Sequence, residues 1–290
     1  MKIALATTLP SLIENKRIEE EVKALHHDFQ LVNLKEFSFV IHDGQLTVDQ
    51  LENLKADIVI VRGIFNSIKP ISALVDDLRR RGVRVFDNNL TNHKYSINKI
   101  ADTVKLSLKG IPVPNSAYLR SFDHYAASAE VLGFPVVIKS TRMGKGAGVY
   151  KVDSPEELKD FIEKLKKEDK QPGSHMIQEF IPYVYDLRVL IIGSDVYAMR
   201  RIPGEGEFRA NFSLGGAVEL FDLDEATRDL AKKALHAIDM TVGGVDVLIT
   251  KDEKKYILEV NHTAGMVGME KATNENIARL FVNHAIKHAL

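Results

Sequence analysis

The feature that most constrains this chain is a change of rhythm. Over the first ninety residues, short apolar runs alternate with charged amphipathic stretches: KIALAT (2–7), a striped segment from Ile13 to Leu25, DIVIVRG (57–63), ISALVDDLRRRG (71–82), VRVFDN (83–88). Strands that alternate with helices close into a parallel sheet with both faces covered. After about residue 110 the rhythm becomes hairpin-like, with strands returning on themselves across short polar turns. One chain therefore has to hold a βαβ lobe and two lobes with paired strands. The sequence predicts an α/β (α+β) architecture divided at 1–90, 91–178 and 179–290.

The later segments fill in that outline. A helix is expected from His93 to Leu108, closed by Gly110, then strand SAYLR (116–120), a helix over Tyr125–Leu132, strand PVVIKST (135–141), a glycine-rich loop, and strand VYKV (149–152). SPEELKDFIEKLKKE opens with Ser154, Pro155 and Glu157, a capping box with proline in the first turn. HMIQEFI (175–181), DLRVLIIGSDVYAMRRI (186–202) and VGGVDVLITKDEKKYILEVN (242–261) read as strands, with helices at 224–240 and 274–289.

Several classes of function drop out early. There is no cysteine, which removes disulfides, thiolate metal sites and a cysteine nucleophile, and is compatible with a cytoplasmic protein. A net charge of −1 argues against a general nucleic-acid binder. The opening MKIALATTLP has too short an apolar run for a signal peptide, and no segment reaches the roughly 18 apolar residues of a membrane span.

The chemistry concentrates in VDVLITKDEKKYILEVN. Folded as a hairpin about Asp252-Glu253, it pairs Lys251 with Lys254, Leu248 with Ile257, and Asp246 with Glu259. Like charges directly opposite are destabilising, and Asn261 lies two residues on, on the same face as Glu259. Two carboxylates and an amide oxygen brought together suit a hard cation such as Mg²⁺ or Mn²⁺. The alternative is a strand end that has simply reached solvent.

A divalent ion with few protein ligands points to a nucleotide. RMGKGAGV (142–149) fits, because Gly144, Gly146 and Gly148 let backbone N–H groups approach phosphate. It has neither P-loop spacing nor a following helix, and alone it reads as a hairpin turn. Lys139 ends an apolar strand, where a buried ammonium needs an anion; taken alone it is equally a snorkelling edge lysine. Gln178 and Glu179, with Phe180 and Ile181, end another strand whose backbone can pair with an adenine edge, although most such strands are simply core. A second hairpin about Gly193-Ser194 sets Asp186 opposite Arg201, with Arg188 on the same side, and a surface ion pair is the plain alternative. FRANFSLGG (208–216) places Arg209 and Asn211 in an irregular stretch able to close over a substrate.

In order, INKIADTVKLSLKGIPVP, FPVVIKSTRMGKGAGV, IQEFI, YDLRVLIIG, RRIPGEGEFRANFSLGG, GGVDVLI and LEVNHTAGMVGMEKATNENIA resemble the ATP-grasp ligases, in particular the RimK-type branch that adds amino acids, typically glutamate, to a carboxylate. The resemblance implies ATP held between the central and C-terminal lobes, with two magnesium (or manganese) ions. It implies that Lys99 and Lys139 hold phosphates under a lid formed by the segment with Gly144, Lys145, Gly146 and Gly148. Gln178, Glu179, Phe180 and Ile181 would frame the adenine, and Asp186 and Arg188 would stand on the ribose side. Arg209 and Asn211 would reach the γ-phosphate and the incoming carboxylate, Arg201 or Arg209 would stabilise an oxyanion, and Asp246, Glu259 and Asn261 would hold the metal ions. A peptide or protein tail is an expected acceptor, and homo-oligomers are expected by family analogy.

The chain departs from the branch at His262-Thr263-Ala264, where small residues and a proline are usual. Asn-His-Thr is similar to ligases that load a small acidic amino-group carrier protein, which is the rival reading. A nucleotide-binding regulator without catalysis is the alternative from another class. Arg62-Gly63 and Asn88-Asn89 sit where an open sheet presents ligands, although turn residues would look the same.

Overall fold

The computed structural model describes residues 1–43, 45–48, 50–51, 54–64, 68–89, 98–141, 148–202 and 217–290. Strands β1 (Lys2–Thr7), β2 (Asp28–Asn33), β5 (Ile58–Val61) and β6 (Arg84–Phe86) form a parallel sheet in the order β2-β1-β5-β6. The small hairpin of β3 (Phe39–His42) and β4 (Gln45–Val48) stands apart from it. Alternation along the strands explains both faces. Ala4, Ala6, Val59 and Val61 pack on helix α2 (Ile68–Arg80), while Ile3, Leu5, Ile58 and Ile60 meet Ile18 and Val22 of α1 (Ile13–Ala24).

The α1 face continues into the C-terminal part of the chain. Leu190, Ile192, Val242, Met266 and Phe281 belong to the same buried cluster as Ile3 and Leu5. Asn88 fastens this junction. Its amide nitrogen donates to the Val242 carbonyl at 2.6 Å, and its oxygen accepts from Thr241 N at 3.1 Å and Val242 N at 3.0 Å. Arg62 does the same from β5, donating through Nη2 to the Ala264 carbonyl at 2.6 Å. The residues at the carboxyl edge of the first sheet are thus spent on docking.

Helix α3 (Lys99–Leu108) follows, capped by Asn98, whose side chain accepts from Ala101 N. Its Leu106, and Ile111 just beyond, pack in the core of the C-terminal sheet rather than under the central one. The central sheet, order β7-β10-β8-β9, comprises β7 (Ser116–Tyr118), β8 (Val136–Ser140), β9 (Val149–Val152) and β10 (His175–Glu179). Helices α4 (Tyr125–Leu132) and α5 (Pro155–Lys167) cover one face, over Val136, Ile138, Val152 and Ile177. The capping box at α5 closes with a shift of one residue: Ser154 Oγ accepts from Glu157 N, and the Glu157 carboxylate accepts from Asp153 N.

The third sheet, order β13-β12-β11-β14-β15, is antiparallel and consists of β11 (Tyr185–Ile192), β12 (Asp195–Ile202), β13 (Ala217–Leu220), β14 (Val242–Ile249) and β15 (Lys255–Asn261). Leu187, Val189, Val245, Val247, Ile257 and Val260 face α6 (Glu225–Ala237). The short α7 (Val267–Thr273) and the final α8 (Ile277–His288) lie toward the first sheet. Among the described residues, no helix is long and apolar enough to cross a membrane.

Candidate active site

The pairing at the end of the third sheet is Asp246 opposite Glu259, with Gly244 opposite Asn261. The expected register holds there, but not nearer the turn. Leu248 faces Tyr256 rather than Ile257, because a β-bulge lies between the Asp246–Glu259 and Val247–Ile257 pairs. The bulge has a clear physical reason. Ile257 and Val260, three residues apart, both reach the α6 core, so one extra residue has to be absorbed for Glu259 and Asn261 to point the other way. Two glycines allow the crowding behind them. A Cβ on Gly243 would lie 2.6 Å from Leu235 of α6, and one on Gly244 would lie 3.1 Å from Ala264 and 3.3 Å from the Arg188 side chain.

On the same face, Asp186 stands opposite Arg201, as the hairpin about Gly193-Ser194 requires. Arg201 binds Asp186 through Nε and reaches Asp246 Oδ1 with Nη2 at 3.2 Å. Arg188 grips Asp246 with two nitrogens, Nε on Oδ1 and Nη2 on Oδ2 at 3.0 Å. Asn261 Nδ2 lies 3.4 Å from the same Oδ2. Burial by itself would raise the Asp246 carboxyl, but Arg188 and Arg201 outweigh it and hold the group below the usual range. Asp186 goes the other way. Burial pushes it up to about 6 against the pull of Arg201, and the Asp246 charge adds to the rise.

The central sheet answers with cations. Opposite the α4–α5 face, alternation places Val137 and Lys139 of β8 beside Met176 and Gln178 of β10. The Lys139 ammonium donates to Gln178 Oε1, Gln178 Nε2 donates to Ser116 Oγ at 2.9 Å, and Ser116 donates to the Pro114 carbonyl at 2.8 Å. This chain has one sense only, because lysine cannot accept. Burial pushes Lys139 down to about 8; Glu259 pulls it up, Lys99 pushes it down and Asp246 pulls it up. Lys99, at the first turn of α3, lies 3.8 Å from Glu259 Oε1. Lys139 of the central sheet and Lys99 of α3 therefore both lie close to the carboxylates at the end of the third sheet.

The remaining site residues divide clearly. Glu179 closes β10 with its carboxylate on Asn115, accepting from N at 2.7 Å and Nδ2 at 3.0 Å. Phe180 follows, with Lys151 Nζ 5.1 Å from its ring centre. Gly148 precedes β9, its carbonyl accepting from Ser140 N at 2.8 Å. Gly144, Lys145, Gly146, Arg209 and Asn211 lie outside the described residues. Sequence reading missed the pair His262–Asp102, joined at 2.8 Å between the segment after β15 and α3. It also left Glu270 within a family-like stretch without a role; that carboxylate binds Arg17 of α1 and accepts from Ala278 N at the start of α8.

The donor set suits a divalent ion by chemistry: two carboxylates and an amide carbonyl on adjacent strand ends, all hard oxygen. Glu259 is the accessible member, its side chain 32% exposed against 8% for Asp246. Two lysines from different elements beside two carboxylates and an amide make a site that carries both charges and has the chemistry to take a polyphosphate with its counter-ions.

Comparison with known proteins agrees. Residues 96–285 match the RimK-like ATP-grasp domain. Probable alpha-L-glutamate ligases from a Picosynechococcus strain and from Legionella pneumophila are each 29% identical, aligned over the whole of this chain and 96% of theirs. Among solved structures, the ATP-grasp ligase PsnB, complexed with a precursor variant, Mg and ADP, superposes with a TM-score of 0.74 at 18% identity, covering 98% of this chain and 97% of that one. The macrocyclase MdnC of Microcystis aeruginosa, bound to its precursor peptide MdnA, superposes with a TM-score of 0.66 at 15% identity, covering 99% of this chain and 100% of that one. The chain belongs to the RimK-like ATP-grasp family of ligases.

Proposed function

We propose that the protein uses ATP, with magnesium or manganese, to join glutamate to a carboxylate on a peptide, a protein tail or a small molecule. The observation that carries this reading is the placing of Lys99 and Lys139 close to Asp246, Glu259 and Asn261. The names of the relatives support glutamate as the amino acid, and the peptide-bound neighbours support a peptide acceptor.

The acceptor carboxylate attacks the γ-phosphorus, forming an acyl–oxygen–phosphorus bond while the bond to ADP breaks. The amine then attacks the acyl carbon, phosphate leaves, and the ammonium proton passes to solvent. Lys139 and Lys99 bind and orient the phosphates as charge moves to the leaving ADP. Asp246, Glu259 and Asn261 would hold the metal ions, which when bound supply charge neutralisation on the phosphate oxygens. In place of Arg201 or Arg209 we assign the developing oxyanion to Arg188, whose side chain is 19% exposed; Arg201 is 6% exposed and shared between two carboxylates, and Arg209 lies outside the described residues. The Glu179 side chain is occupied by Asn115, so adenine is read by the main chain of 179–181 and the side chains of Phe180 and Ile181. By family resemblance we assign the lid to the 142–148 segment and the γ-phosphate to Arg209 and Asn211; residues 142–147, Arg209 and Asn211 lie outside the described residues.

The test is ADP release from the purified protein with Mg-ATP, screened over single amino acids with and without glutamate-ended peptides. Release that requires glutamate and an acceptor supports the reading. Release only with a small acidic carrier protein favours the rival ligase, and tight nucleotide binding with no release under any condition favours a regulator.

A further inference from the structure

Helix α3 presents Lys99 and Asp102 three residues apart, hence on one face. Lys99 reaches Glu259 at 3.8 Å, and Asp102 Oδ2 meets His262 Nε2 at 2.8 Å, so the helix contacts β15 and its extension on both sides of Asn261. A carboxylate only accepts, so Nε2 carries the proton of this bond. Both side chains are buried, 10% exposed for Asp102 and 7% for His262, and a polar bond made in such surroundings is strong and holds its partners in place. Farther along the helix, Leu106 is fixed in the C-terminal core. Beyond His262, Ala264 is held by Arg62 from the other direction. The stretch from Asn261 to Ala264 is thereby clamped between α3 and the first sheet.

We propose that Asp102 is a positioning residue: through His262 it sets Asn261 and Glu259 at a fixed distance from Lys99, so that metal ligands and phosphate lysine act on one nucleotide. This rests on the nucleotide reading above and adds a residue pair to it. It also gives a use to His262, the position at which the chain departs from its branch.

The test follows a fluorescent ADP analogue as Mg²⁺ is titrated, alongside ADP release. Asp102→Asn and His262→Ala should each raise the half-saturating Mg²⁺ at least fivefold and lower kcat at least tenfold, with metal-free affinity for the analogue unchanged within twofold. His262→Gln, which restores an N–H donor, should recover most of the midpoint, and the double variant should be no worse than His262→Ala alone. Asp102→Glu keeps the charge and lengthens the arm, and it should shift the midpoint even if Asp102→Asn does not fold. A wild-type midpoint in folded Asp102→Glu or His262→Ala overturns the proposal, as does a metal-free affinity that falls by the same factor as the metal-assisted one. Wild-type protein that binds no analogue at any Mg²⁺ concentration overturns the nucleotide reading itself.

Discussion

Asp246 and Glu259 stand directly opposite each other on neighbouring strands, yet they occupy different electrical settings. Asp246 is buried and shared between Arg188 and Arg201, whereas Glu259 is a third exposed, with Lys99 3.8 Å from its carboxylate. Two carboxylates of one proposed metal site therefore carry different structural burdens, and substitution separates them.

Glu259→Gln should abolish ligation and Mg²⁺-assisted nucleotide binding while costing less than about 1 kcal/mol in stability, the usual scale of an exposed pair. Asp246→Asn should abolish ligation too, but it also leaves the buried Arg201 and the half-buried Arg188 under-compensated, at a cost of about 2–4 kcal/mol. Urea melts of the two variants beside an ADP-release assay check this. Wild-type turnover in folded Glu259→Gln would refute its metal role.

Lys139 is depressed by burial from 10.5 to about 8, a difference worth about 3 kcal/mol against the charged form. Between these two values the unfolded chain binds more protons than the folded one, so stability should rise with pH from about 8 to 10.5 on this group's account. Below pH 8 the full cost is present, until a phosphate arrives to share the charge. Lys139→Met should therefore raise the melting temperature of the nucleotide-free protein at pH 7 and weaken ADP binding at least tenfold. In the wild type, ADP affinity should fall as pH passes upward through 8. A flat affinity from pH 7 to 9.5, or a lower melting temperature in the variant, contradicts the assignment.

Arg188 and Arg201 should part in the same way. Arg188→Lys keeps a charge but loses the two-nitrogen grip, and kcat should fall about 100-fold, the scale of one lost oxyanion contact, with a small change in Tm. Arg201→Met leaves the buried Asp186 without its guanidinium and Asp246 with Arg188 alone, and should cost about 3–5 kcal/mol. Steady-state kinetics paired with thermal melts decide between them.

Asn88 has left-handed backbone, φ 51°, and four hydrogen-bonding partners in the C-terminal lobe: Thr241 N, Thr241 Oγ1, Val242 N and the Val242 carbonyl. Asn88→Gly relieves the backbone but leaves those groups without this partner, and should destabilise by about 2–4 kcal/mol with KM for ATP unchanged. A shifted KM for ATP would instead place Asn88 in the nucleotide site.

The sequence was legible where local rules suffice. Alternation and turn residues are enough to set Asp186 opposite Arg201 and Asp246 opposite Glu259. The bulge was not legible, because it answers to α6 packing on Ile257 and Val260. Arg62 and Asn88 looked equally suited to ligands or turns; only the arrival of residues 241–264 beneath them decides for docking. Asp102 and His262 are 160 residues apart, and no periodicity joins them. Placing α3 on the C-terminal core rather than under the central sheet likewise depends on tertiary contacts of Leu106 and Ile111.

Asp246, Glu259 and Asn261 are proposed to hold a cation that in turn carries the triphosphate. Crystals of the protein with a non-hydrolysable ATP analogue and manganese, measured for anomalous scattering, test that proposal most directly. Manganese peaks are expected within about 2.5 Å of oxygens on Asp246, Glu259 and Asn261, with Lys139 on the phosphates. Nucleotide density with no manganese at that rim, or manganese bound elsewhere, would contradict it.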